Sequence, residues 1–145
     1  MRIETTRKLS HAPFEVYAFL TDPALLTTWV KGLRSHAPLP GPARGVGARF
    51  RQELELQGGA FPFDGLVLED EPGRRFAYRL EHEEAALSNR FDLADLGGAT
   101  ELRIVSEAEL RSLRLRFVKG LVERFLREQM EANLERLNAA LGAAR

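Results

Sequence analysis

Polar side chains set into otherwise apolar alternations are the first candidates for chemistry in this 145-residue chain. Gln52 falls between Phe50 and Leu54, Tyr78 between Phe76 and Leu80, and Asn89 between Leu87 and Phe91; His82 and Ser106 continue the same phases. Such residues have two uses. They find backbone or strand-end partners and serve the fold, or they converge in an apolar pocket and fix the orientation of a ligand. Left unpartnered they cost free energy, so the pattern demands one outcome or the other. The chemistry on offer is hydrogen bonding.

Other chemistries have less support. With no cysteine, disulfides and thiolate metal sites are excluded. His11, His36 and His82 belong to no metal-binding helical pattern, so neither a metal nor a cofactor is expected. Gly-x-Ser-x-Gly is absent, and Gly45-Val46-Gly47 precedes a strand where a dinucleotide fingerprint needs a helix. Acid/base work would need a carboxylate beside His82, with Asp64 and Glu83 as candidates of undetermined phase; the run His82-Glu83-Glu84 also reads as a solvated hairpin end. No catalytic residue is assigned. Trp29 reads as a core or cavity-rim aromatic, since no basic and aromatic interleaving surrounds it. Arg111, Arg114, Arg116, Lys119, Arg124 and Arg127 form a locally basic stretch, either a solvated face partnered by Glu123 and Glu128 or a docking site for an anionic headgroup or acidic partner.

Strands must hold the polar residues in place. From Val46 the period is two: Val46, Ala48, Phe50, Gln52, Leu54 and Leu56 alternate with Arg49, Arg51, Glu53 and Glu55, as in an antiparallel strand with one wet face. Segments 76–82, 87–93 and 102–108 repeat the pattern, and 61–69 is a further strand. Gly58-Gly59, Glu71-Pro72-Gly73 and Gly97-Gly98 supply turns, so 46–110 is expected to be a meander. Upstream, residues 3–9 form a strand. Pro13 and Asp22-Pro23 open two short helices, the first with Phe14, Val16, Tyr17 and Leu20 on its apolar face. Residues 32–47 read as one long Pro/Gly-rich loop. A long helix from near 117 to near 141 closes the chain, and its Leu121, Phe125 and Met130 need a surface to bury against.

The charge balance of 21 basic and 21 acidic residues argues against a protein that neutralises a phosphate backbone, so no nucleic acid is expected. No signal peptide or spanning segment is evident. The expectation is one domain over 1–145, cytoplasmic, without stable membrane insertion, as a monomer or homodimer.

The order of elements, with Ala12-Pro13-Phe14-Glu15-Val16-Tyr17-Ala18-Phe19-Leu20-Thr21-Asp22, then Trp29, then Arg127-Glu128-Gln129-Met130-Glu131-Ala132-Asn133-Leu134-Glu135-Arg136-Leu137, resembles the START-like (SRPBCC) superfamily, particularly its polyketide cyclase/dehydrase-like and coenzyme-Q-binding-like members. The resemblance implies an α+β helix-grip fold: a curved antiparallel β-sheet wrapped around a long C-terminal α-helix, with two short helices between strands 1 and 2. It also implies a cavity between sheet and helix holding a hydrophobic small molecule such as a lipid, isoprenoid, quinone or polyketide-like ring system. Trp29, Phe50, Leu54, Phe76, Phe91, Ile104, Leu121 and Phe125 would line it, and Gln52, Tyr78 and Asn89 would orient the ligand. The superfamily equally contains cyclase, dehydratase or hydrolase-type enzymes using that cavity, and chaperone-activating interaction modules. Fold alone does not choose among them.

Overall fold

The computed structural model describes residues 1–56 and 59–144, so Gly58 of the expected Gly58-Gly59 turn lies outside the described residues. The elements run β1 (Arg2–Leu9), α1 (Pro13–Thr21), α2 (Pro23–Trp29), β2 (Leu33–Pro38), β3 (Arg49–Leu56), β4 (Gly59–Glu71), β5 (Arg75–Glu81), β6 (Ala85–Asp95), β7 (Thr100–Leu110), α3 (Leu113–Phe117) and α4 (Lys119–Ala143). The strands form one antiparallel sheet in the order β1-β7-β6-β5-β4-β3-β2. The meander from β3 to β7 is therefore present, with β1 added beside β7 and β2 beside β3. No described helix is long and apolar enough to cross a membrane.

Local chemistry explains the element boundaries. Asp22 caps α2 by accepting from the Ala24 amide at 3.0 Å, and prolines open both α1 and α2. Gly97 and Gly98, with φ of 79° and 89°, make the two-residue β6–β7 turn, whose backbone twist requires left-handed residues. On β3 the charges Arg49, Arg51 and Glu55 are outward while Phe50, Gln52 and Leu54 are buried. The undetermined phase of β4 resolves with Phe63, Gly65 and Val67 inward and Asp64 outward.

Three expectations need correction. The presumed long loop contains β2, which pairs with β3 through His36↔Gln52; Pro38 at its end and the register shift between Leu33 and Ser35 hide its alternation. Val46 lies before β3 and is exposed rather than inward, and Phe14 turns out from α1 over Gly73. The third concerns the last helix. α4 buries Met130, Leu134, Leu137 and Leu141, none of them in its first eleven residues, and packs on α1, α2 and β1. In its first half Phe125 is half-buried and Leu121 is exposed, because the chain breaks at Val118 and the helix runs clear of the strands there.

Candidate ligand-binding cavity

Register places three polar residues in one row across the concave face: Tyr78 on β5 is opposite Asn89 on β6, and Asn89 is opposite Ser106 on β7. Apolar rows flank it, Phe76–Phe91–Ile104 on one side and Leu80–Leu87–Ala108 on the other. Ser106 donates its hydroxyl to Asn89 Oδ1 at 2.5 Å, which turns the Asn89 amide nitrogen toward the Tyr78 oxygen. Burial pushes the Tyr78 phenol up to about 12, against the opposing pull of Asn89. Tyr78 is thus a neutral O–H donor whose remaining accessible surface faces the cavity. A second polar pair sits on β2 and β3, where Gln52 Nε2 lies 3.0 Å from His36 Nδ1 and the His36 ring stacks on Phe50 with centroids 4.9 Å apart. Burial holds His36 below its ordinary value, favouring the neutral ring.

Two connected hollows lie between sheet and helix. An inner cavity of about 120 Å3 is lined by Trp29, Gln52, Leu54, Tyr78, Asn89, Phe91, Ile104, Ser106, Phe125 and Met130, among others. An outer cavity of about 520 Å3 lies under α3 and the first half of α4, between Phe61, Phe63 and His82 on one side and Leu115, Val118 and Leu121 on the other. Leu56, Leu87, Phe125 and Leu126 line both and form the neck between them. Phe125 is the half-buried helix residue at that neck.

The structure brings eight of the eleven sequence-derived site residues to the inner wall. Phe50 and Phe76 are buried in the core behind that wall and touch Tyr78 edgewise or tilted, at 6.0 and 5.8 Å between centroids. Leu121 belongs to the outer cavity. Sequence reasoning missed His36, concealed in the proline-rich stretch, and Gln129 and Asn133, which line the inner cavity from α4. Their polarity within the helix's apolar stripe was the available signal. Both are spent on Lys31: Gln129 Nε2 donates to its carbonyl at 2.7 Å, and its amide donates to Asn133 Oδ1 at 2.8 Å. Together with Arg136 Nε donating to the Trp29 carbonyl at 3.2 Å, they fasten the end of α2 to α4.

Of the acid/base candidates, His82 walls the outer cavity, while the carboxylates Asp64 and Glu83 reach neither hollow. Asp64 and Glu83 are exposed, and the His82 ring packs against Phe61 and Phe63 while its Nδ1 accepts from the Glu84 amide at 3.1 Å. His11 does meet a carboxylate, Glu15, at 3.2 Å, but no group of three or more potential ligands exists among the described residues.

An antiparallel sheet gripping a long C-terminal helix, with an apolar hollow and a polar row inside, defines a START-like domain. The family described as polyketide cyclase/dehydrase and lipid transport matches residues 1–142. The chain belongs to that family. Solved structures similar to it include a Chromobacterium violaceum protein, 25% identical over 97% of this chain and 96% of that one, with a TM-score of 0.73. A START superfamily protein from Mycobacterium smegmatis is 15% identical with a TM-score of 0.83, covering 99% of both chains. The Zhui aromatase/cyclase of a Streptomyces species is 17% identical with a TM-score of 0.80, covering 99% of this chain and 93% of that one. No curated protein matches the sequence.

Proposed function

We propose that this protein binds a hydrophobic small molecule carrying a hydrogen-bond acceptor, such as a carbonyl or quinone-type oxygen, at its leading end. The observation carrying this reading is the row Ser106–Asn89–Tyr78: Ser106 donates to Asn89, Tyr78 stands opposite Asn89 across β5 and β6, and the neutral Tyr78 O–H is left for a ligand oxygen. Trp29, Leu54, Phe91, Ile104 and Phe125 surround that point with apolar surface, while the outer cavity gives a chain or further rings somewhere to lie. Together the two hollows fall within the ~300–1,000 Å3 of ordinary ligand pockets. Binding of a lipid, isoprenoid, quinone or polyketide-like compound fits this lining, and the family description includes both cyclases and lipid transport. Binding is favoured over catalysis because neither Asp64 nor Glu83 lines the inner cavity and the carboxylate that does, Glu107, is an exposed residue. We place the protein in the cytoplasm, acting as one domain, monomeric or homodimeric.

Native mass spectrometry of the purified protein, followed by solvent extraction, tests the reading. An apolar, oxygen-bearing passenger at one per chain is expected. Turnover of that compound by the protein would replace binding with an enzymatic function, and a protein that takes up no compound from a quinone, isoprenoid and fatty-acid panel would refute the proposal.

A further inference from the structure

The corner where β7 gives way to the last helices exposes large apolar side chains with nothing packed on them. Phe117 is 91% exposed, Leu113 74% and Leu121 65%. Leu113 and Phe117 lie four apart on one side of α3, and Leu121 follows on the first turn of α4, just past the break at Val118. The stretch 111–122 contains Arg111, Arg114, Arg116 and Lys119 and no acidic residue, in a chain whose charges cancel overall. Arg111 is held by Glu81 and Glu109, and Arg114 by Glu84. Arg116 donates only to the Leu110 carbonyl, at 3.0 Å, and neither Arg116 nor Lys119 has a carboxylate partner among the described residues. Exposed Phe and Leu flanked by uncompensated cations is the composition of a segment that lies in the interface of a membrane.

We infer that this corner docks on an anionic lipid surface, with Phe117, Leu113 and Leu121 entering the headgroup and acyl boundary and Arg116 and Lys119 meeting lipid phosphates. A second copy of the chain is a poorer occupant. A two-fold contact through this patch would set its cations against their own copies, with no acidic residue from 111 to 122 to offset them. Position adds a further argument, since Leu115, Val118 and Leu121 also wall the outer cavity. Docking therefore brings the open side of the hollow to the lipid surface. Only this use of docking rests on the proposed ligand binding; attachment itself does not.

The test is co-sedimentation of the ligand-free full chain with vesicles of phosphatidylcholine plus phosphatidylglycerol, compared with phosphatidylcholine alone. Binding to the anionic vesicles, declining as salt is raised, is expected. Arg116→Gln and Lys119→Gln should each weaken it about fivefold, and Phe117→Ser by about tenfold or more. All three side chains face solvent, so melting temperature should not move. A Phe117→Trp variant should show a blue-shifted emission on anionic vesicles, while Trp29 stays buried throughout. Failure of the wild-type protein to bind anionic vesicles overturns the inference. So does binding indifferent to these substitutions, or self-association or capture of an acidic protein through Phe117 without any lipid binding. Because the protein is ligand-free, these results are separable from the mass-spectrometric test of cavity binding.

Discussion

Tyr78 and Tyr17 are the only tyrosines, and both phenols are pushed up to about 12, Tyr78 by burial and Tyr17 by burial together with its hydrogen bond to Asp70. The unfolded chain ionises at the ordinary value of 10.0, before the folded one, so stability is fully present below that pH and falls as pH rises toward 12. Absorbance near 295 nm should accordingly show little tyrosinate in the native protein at a pH where the urea-unfolded chain is half ionised. The two polar clusters should respond differently to substitution. Gln52→Leu strands a half-buried His36 nitrogen and should cost about 1 kcal/mol in urea melts. Tyr78→Phe should leave the ligand-free melting temperature within a few degrees yet weaken ligand affinity up to about tenfold, as lost thermal shift would reveal. Gly65 is fixed by proximity: a Cβ built there would sit 2.1 Å from the Phe50 ring, which is itself buried and stacked on His36. Gly65→Ala should therefore destabilise by about 1–3 kcal/mol.

At the level of elements, α4 divides into a packed half and a free half. Leu137→Ala, at a fully buried position, should cost about 2–5 kcal/mol, whereas Leu121→Ser should stay within about 0.5 kcal/mol. Truncation after Gly120 should give a chain without a cooperative melt, because Leu134, Leu137 and Leu141 leave with it. The two short helices were readable from Pro13 and Asp22-Pro23, and the meander from its period of two. A register slip would have buried Arg51 and Glu53, which is why the phase of β3 was so well determined. β2 was obscured because a terminal proline, a bulge and short length erase alternation in an edge strand. The free half of α4 was illegible for a different reason: periodicity reveals that a helix has an apolar side, but not whether anything lies beneath it. The same limit applies to the site, where alternation placed Gln52, Tyr78 and Asn89 inward but could not pair Asn89 with Ser106 or find His36.

Across the whole molecule, the hollow under the loosely held end of α4 implies uneven protection. Amide exchange should be fastest in 113–128 and slowest in β5–β7 and 130–141, and a bound ligand should slow the first region selectively. The pairing of β1 with β7 bears on how the chain is made. Leu9 aligns with Thr100, and the Ala108 amide donates to the Met1 carbonyl at 2.9 Å, so β1 emerges from the ribosome long before its strand partner β7 exists. At about 5–20 residues per second, β1 and the two short helices wait several seconds at least with Ile3, Leu9, Val16 and Leu20 uncovered. Completion of the fold must then wait for the covering helix, which follows every strand in the chain. A nascent chain arrested at any length short of α4 should remain protease-sensitive throughout and be a client for chaperones, and extension through α4 should convert it to the resistant form in one step.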